Sequence, residues 1–184
     1  MLDIAPVRER MTTADYRALP ETNRIEELID GELFMNPPLD VHQLRVGSVY
    51  FMLRMLLKDR GSLRMAPTGI HFEEGHDYEP DVFWVSPENT ACTLGPDGRY
   101  WHGGPDLIVE ILSPTSGYRD YNTKFRMYEK HGVREYWIVE PTAQFVGVFK
   151  RINSDFIHQG DFEPGQTFSS AALGAVIDVA PIFA

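Results

Sequence analysis

The segment Asp106-Leu-Ile-Val-Glu110-Ile-Leu112 constrains the fold more than any other part of the chain. It is an almost continuous apolar run with one acid inside it. Such a run reads as a strand covered on both faces, hence a central strand. Ser113-Pro114-Thr115 ends it. The acid within the run is the informative residue. A carboxylate on a buried strand has to be paired, protonated or metal-bound, because a bare buried charge is too costly. The plainer alternative for Glu110 is a strand-end acid bonded to neighbouring backbone or to an arginine.

The flanking segments give an order of elements. Thr12-Thr13-Ala-Asp starts a short helix that stops before Pro20. Residues 24–29 and 32–36 form a hairpin around Asp30-Gly31, whose two residues accept the positive φ of a tight turn, and Pro37-Pro38 closes it. Val41 to Lys58 reads as the longest helix, with Val41, Leu44, Val49, Met52, Leu53, Leu56 and Leu57 approximating one apolar stripe and Gly61 as the stop. Residues 62–72 and 82–85 read as strands, and the turn-rich stretch 86–105 as a long loop. Tyr118 to His131 reads as a helix with Tyr121, Phe125 and Tyr128 inward, followed by a strand at 135–139 and a hairpin partner at 145–150. A buried strand, a helix and a second buried strand imply a crossover within a mixed sheet. The tail from Gln166 reads as short strands or turns.

Composition narrows the class. The 184 residues are 43% hydrophobic and 24% charged, which supports one globular domain over 1–184 and excludes disorder as the main state. No apolar run approaches the roughly 18 residues of a membrane span. The amino-terminal residues lack the pattern of a secretion signal, and the one cysteine, Cys92, excludes an internal disulfide and a multi-cysteine zinc site. A cytoplasmic protein without membrane contact is expected. The formal charge of −10 disfavours tight non-specific binding to a polyanion and favours a carboxylate cluster for a metal. Basic residues are nevertheless grouped, at Arg45, Arg54, Lys58, Arg60 and Arg64, and at Arg119, Lys124, Arg126, Lys130 and Arg134, so a basic groove on an acidic protein is expected.

Several side chains compete for a role beside Glu110. Asp81 follows Pro80 and opens the strand Val-Phe-Trp-Val, where a side chain can reach a cleft or simply serve a turn. Asp106 shares a strand face with Glu110 but lies about 13 Å from it at strand rise, so it reads as a cap rather than a co-ligand. Lys124 stands four residues after Asp120, which by itself suggests a surface ion pair. Either Glu26 or Glu27 of the first hairpin can face inward; alternation does not decide between them. Gln43 and Arg45 suit either a phosphate contact or solvent. The acidic stretch 73–81 reads as a solvated loop. The six histidines show no metal-type spacing and are read as structural or exposed.

Pro80-Asp81-Val-Phe-Trp-Val, Pro105-Asp106-Leu-Ile-Val-Glu110-Ile-Leu-Ser-Pro, and Asp120…Lys124…Tyr128…Gly132-Val-Arg-Glu-Tyr-Trp137-Ile-Val139-Glu-Pro141 together resemble the Uma-two family of restriction-endonuclease-like proteins. Glu27-Leu-Ile-Asp-Gly31-Glu-Leu resembles it too. That family belongs to the PD-(D/E)XK nuclease superfamily. The resemblance implies an α/β fold, a restriction-endonuclease-like mixed-sheet core with flanking helices and an N-terminal β-hairpin. It implies Mg²⁺-dependent phosphodiester hydrolysis, with Mn²⁺ as a substitute. Asp81 and Glu110 match the motif's two acids, and the carbonyl of Ile111 would join them on the metal. The motif's lysine would fall at position 112, where Leu112 stands; the resemblance moves its function to Lys124. Glu27 matches an additional acid on an early element.

The expectation is therefore an endonuclease on nucleic acid, DNA first, built as a homodimer. The alternative is a catalytically inactive nuclease-fold interaction module acting as a homodimer. A third reading is a hydrolase of another phosphate ester.

Overall fold

The computed structural model describes residues 10–20, 24–35, 39–113 and 117–184, with the Tyr118 side chain left aside. The expected closure at Pro37-Pro38 and the strand stop at Pro114-Thr115 fall outside those residues. Elements in chain order are α1 (Thr13–Arg17), β1 (Glu26–Ile29), β2 (Glu32–Met35), α2 (Asp40–Leu57), β3 (Ser62–Met65), β4 (Gly69–Glu73), β5 (His76–Tyr78), β6 (Val82–Val85), β7 (Thr93–Leu94) and β8 (Tyr100–His102). Then come β9 (Leu107–Ile111), α3 (Gly117–Arg119), a π-helical segment (Asp120–Lys124), α4 (Phe125–Lys130), β10 (Glu135–Glu140), β11 (Phe145–Ile152), β12 (Asp155–Phe162), β13 (Thr167–Ser170), β14 (Ala175–Asp178) and α5 (Ala180–Phe183).

Two six-stranded mixed sheets carry the fold, in the orders β2-β1-β5-β4-β8-β7 and β12-β11-β10-β9-β6-β3. The apolar run 107–111 lies in the middle of the second sheet, parallel to β10 and antiparallel to β6. Its alternation sorts the core into two layers. Leu107, Val109 and Ile111 face a layer made with α2, α5 and Trp137, whereas Ile108 faces Ile70, Tyr78, Tyr128 and Tyr136 on the other side. Glu110 shares the face of Ile108 by the two-residue period of a strand.

Local chemistry explains the edges of these elements. Thr12 caps α1 in a capping box with Asp15. Asp30 (φ 51°) and Gly31 (φ 72°) form the expected left-handed turn between β1 and β2. Several expectations need correction. Lys58 (φ 56°) is the first positive-φ residue after α2, ahead of Gly61 (φ 72°). Gly61 is needed for another reason: a Cβ there would stand 2.3 Å from the Val85 carbonyl. The stretch 86–105 holds β7 and β8, which extend the first sheet through β4. Part of the acidic stretch forms β5, and His76, Asp77 and Tyr78 are buried there because that strand pairs with both β1 and β4.

One buried acid fixes the carboxy-terminal tail. Glu135 accepts from Trp137 Nε1 (2.7 Å) and from the backbone N–H groups of Ala171 (2.7 Å) and Ala172 (3.0 Å), so the β13–β14 turn is tied to the central sheet. Glu135→Ala should therefore cost roughly 3 kcal/mol of stability, since three buried donors lose a charged acceptor. Urea unfolding measures this; a loss below about 0.5 kcal/mol, the scale of an ordinary surface substitution, would remove Glu135 as the tie.

Candidate active site

The site forms where β1, β6, β9 and the π-helical segment meet. In the antiparallel β6–β9 pair, Val82 stands opposite Val109, and continuing the register by one residue brings Asp81 across from Glu110. Residues opposite each other share a face, so the two acids point the same way. Asp81 Oδ2 accepts from the Ile111 N–H at 2.7 Å. Asp106, by contrast, bonds Ser86 N, Asn89 and Arg134 at the other end of the strand, and acts as the cap expected of it.

The amino acid at 124 is the hub. Lys124 is 4% exposed, and its Nζ lies 2.9 Å from Glu27 Oε1, 3.0 Å from Glu110 Oε1 and 3.5 Å from Asp120 Oδ1. The ion pair with Asp120 that the sequence suggested is present, but it is buried. The reason is the helix geometry. An α-helical period would turn Tyr121 inward; the wider π turn instead directs Asp120 and Lys124 to the sheet, and Tyr121 is 40% exposed. Phe125 and Tyr128 do pack inward, Tyr128 against Phe72, Tyr78 and Tyr136.

Glu27, not Glu26, is the acid that reaches this centre. It is buried, and it accepts from the Glu79 N–H at 3.0 Å as well as from Lys124. Glu26 serves the same hairpin through its backbone, where its N–H donates to Glu79 and its carbonyl accepts from Tyr16.

The charges shift one another. Burial holds Glu110 well above the usual carboxylate range; the Lys124 ammonium opposes that, while Asp120, Asp81 and Glu27 add to it. Burial likewise raises Glu27, against the pull of Lys124. Burial works against the Lys124 ammonium, but Glu110, Glu27 and Asp120 outweigh it and hold the group charged. Tyr128 Oη donates to Glu110 Oε1 at 2.6 Å.

One residue of the site was not singled out in the sequence. His42, in the first turn of α2, lies with Nε2 3.2 Å from Asp81 Oδ2, and its Nδ1 is buried without a hydrogen-bond partner. Burial alone would lower its pKa; the Asp81 carboxylate and the Ile111 backbone raise it overall. A histidine one position before Gln43 carries no spacing signal. Its helical phase relative to Val46, Val49 and Leu53 would have shown that it faces the sheet.

Several members of the two basic groupings are engaged by the fold itself. Arg45 bonds the carbonyls of Ile182 and Ala184, Arg60 bonds that of Leu173, Arg134 pairs with Asp106, and Lys130 pairs with Glu73. These cations complete carbonyl and carboxylate partners of the fold itself.

The chain matches the family Uma2, described as "Putative restriction endonuclease", over residues 13–180. It belongs to the Uma2 family. Its fold is similar to the crystal structure of a "putative nuclease belonging to DUF820" from Anabaena variabilis, with a TM-score of 0.77 and 19% identity, covering 94% of this chain and 97% of that one. No curated protein matches it. Among the described residues no helix is long and apolar enough to cross a membrane.

The residues of this Uma2 site suit a hard divalent cation. Among the described residues no group of three or more His, Cys, Asp or Glu side chains forms a ready-made metal cage. Mg²⁺ does not need one; it takes one or two carboxylates and keeps waters for the rest. Four buried carboxylates, Glu27, Asp81, Glu110 and Asp120, surround one ammonium and one imidazole. Asp120 Oδ1 is buried without a hydrogen-bond partner. Negative charge is in excess, and it adds to the burial that chiefly raises Glu110.

Two outcomes follow for the Uma2 site. Glu110 binds its proton more tightly folded than unfolded, so its ionisation opposes folding as pH rises above the usual carboxylate range. Glu110→Gln should thus raise the melting temperature of the metal-free protein at about pH 8 and leave it nearly unchanged at about pH 4. An equal effect at both values would mean that Glu110 is not the strained acid. Lys124→Met strands three acids and should cost roughly 3–5 kcal/mol. Lys130→Ala breaks only a surface pair and should cost about 1 kcal/mol or less by the same unfolding measurement.

Proposed function

We propose that the chain is a Mg²⁺-dependent endonuclease that hydrolyses phosphodiester bonds of nucleic acid, DNA first, as a cytoplasmic homodimer, with Mn²⁺ able to replace Mg²⁺. The observation that carries this reading is the Lys124 ammonium held beside Glu110 with Asp81 on the facing strand. Asp81, Glu110 and the Ile111 carbonyl would hold the metal, which supplies phosphate polarisation and a bound water of lowered pKa. Lys124 presents a compact donor to that water or to the charge developing on the phosphoryl oxygens. Glu27 and Asp120 hold that donor in place from opposite sides. Water attacks phosphorus, the phosphodiester P–O bond breaks, and the leaving oxygen takes up a proton.

A second reading has its own support. Asp81 Oδ2 is satisfied by Ile111 N–H and His42, and Glu110 Oε1 by Lys124 and Tyr128. A network so closed suits an inactive nuclease-fold module acting as a homodimer. Metal separates the two. On the nuclease reading Mn²⁺ raises the melting temperature, because it binds only the folded site. Asp81→Asn and Glu110→Gln should each abolish that rise, together with Mg²⁺-dependent nicking of plasmid. No rise in the wild-type chain, or a rise that both variants keep, rejects the metal assignment. Parallel incubations with single-stranded DNA, RNA and a simple phosphate monoester identify the substrate class.

Lys124→Arg tests the lysine without stranding its acids. It keeps the charge but not the compact ammonium. Turnover should fall about 10²–10³-fold, as for a lost donor to developing charge, while the Mn²⁺ shift persists. Unaltered turnover would reduce Lys124 to a structural cation.

A further inference from the structure

Helix α2 is apolar on two opposite sides, and the fold uses only one. Val46, Val49, Leu53 and Leu57 are buried against the second sheet. On the far side Val41, Leu44, Phe51 and Met55 are 53%, 54%, 66% and 63% exposed. This corrects the single stripe expected from the sequence, which merged residues of both sides. The exposed four, with Ser48 between them, follow the alternating three- and four-residue spacing of a helix-to-helix seam. Isolated exposed apolar residues are ordinary; a continuous stripe along an 18-residue helix is not.

We infer that this stripe is the homodimer interface, with α2 of a second copy packed antiparallel across it about a twofold axis near Gly47 and Ser48. This deepens the homodimer part of the proposed function and is independent of its metal chemistry.

Three observations select this occupant. First, the two flanks of the stripe differ. Arg45 lies on one flank, where it bonds the Ile182 and Ala184 carbonyls and stacks on Phe183, so α5 already covers that side. Asp40, Gly47 and Arg54 lie on the other flank at seven-residue intervals. Second, in an antiparallel pair like flanks face each other, so Asp40 of each copy meets Arg54 of its mate, whose pair within its own chain is the exposed Asp59 at 3.0 Å. A parallel pair would direct Asp40 to the flank that α5 covers. Third, Gly47 stands in mid-helix, where glycine costs about 1 kcal/mol against alanine, and an added Cβ would meet nothing within 4 Å. Among the described residues nothing requires glycine there; close approach of a second helix near the axis does. Val41 and Leu44 then cover Phe51 and Met55 of the mate.

The test is the mass of the full chain by sedimentation equilibrium, with plasmid cleavage as a separate readout. The wild type should run at twice the 21.0 kDa of one chain. Leu44→Glu and Phe51→Glu should each give a 21.0 kDa species with an unchanged circular-dichroism spectrum, since both positions are exposed in the monomer. Asp40→Arg and Arg54→Asp alone should each weaken the dimer roughly tenfold, and the double variant should restore it. A monomeric wild type, a dimer that survives Phe51→Glu, or a charge swap that weakens rather than restores would each overturn the interface. Loss of cleavage in a variant that stays dimeric speaks to the metal site alone.

Discussion

A single ammonium buried among three carboxylates sets the terms for the rest of this structure. Lys124 brings together elements distant in sequence: β1 through Glu27, β9 through Glu110, and its own π turn through Asp120. None of these acids is tolerable alone in a buried position. The first sheet and the second sheet therefore approach each other where their charges meet, and the helical segment between β9 and β10 has to lie over that point. Such a network is weak evidence for stability, because apolar replacements often do as well. Its consequence is geometric. It holds a proton donor, two facing acids and a strand end in one fixed relation.

The packing around the network keeps it fixed. Phe72, Tyr78, Tyr128 and Tyr136 stack edge to face along one side, with ring centroids 5.2–6.0 Å apart. Burial pushes the Tyr128 and Tyr136 hydroxyls well above their ordinary range, so both stay neutral donors. A low-dielectric wall strengthens every charge contact it encloses. It also explains why the excess negative charge shows up in Glu110 rather than being dispersed into solvent.

The sequence disclosed this site unevenly, for physical reasons. Glu110 was legible because a lone acid in an apolar strand has few ways to exist. The hairpin at Asp30-Gly31 was legible because only certain residues accept its backbone. Asp81 gained its place beside Glu110 first by setting aside Asp106, which lies too far along the strand, and then from resemblance, since a Pro-Asp pair alone is common at any strand start. Lys124 was ambiguous because its position depends on a π turn, and regular helical spacing assigns the inward face to Tyr121 instead. His42 carried no metal-type spacing and only its helical phase marked it as facing the sheet, and the strands β7 and β8 were hidden because turn-rich residues mask short pairing. The stripe on α2 was misread because seven apolar residues on two faces mimic one broad face when read along a line.

Function and stability pull against each other at this site. Three acids satisfy Lys124, yet together with Asp81 they add to the burial that already raises Glu110. Removing an acid would relieve the strain and would also remove a ligand or a tether. His42 eases the excess at Asp81 through an imidazole nitrogen 3.2 Å from the Asp81 Oδ2 oxygen. A chain of formal charge −10, with several of its arginines engaged by its own carbonyls, has little general attraction for a polyanion. On the proposed reading, a cation held at this centre would offset the local excess of carboxylates. The strain on Glu110 therefore has two physical origins, its burial first and then a centre with more carboxylates than its own cations can balance.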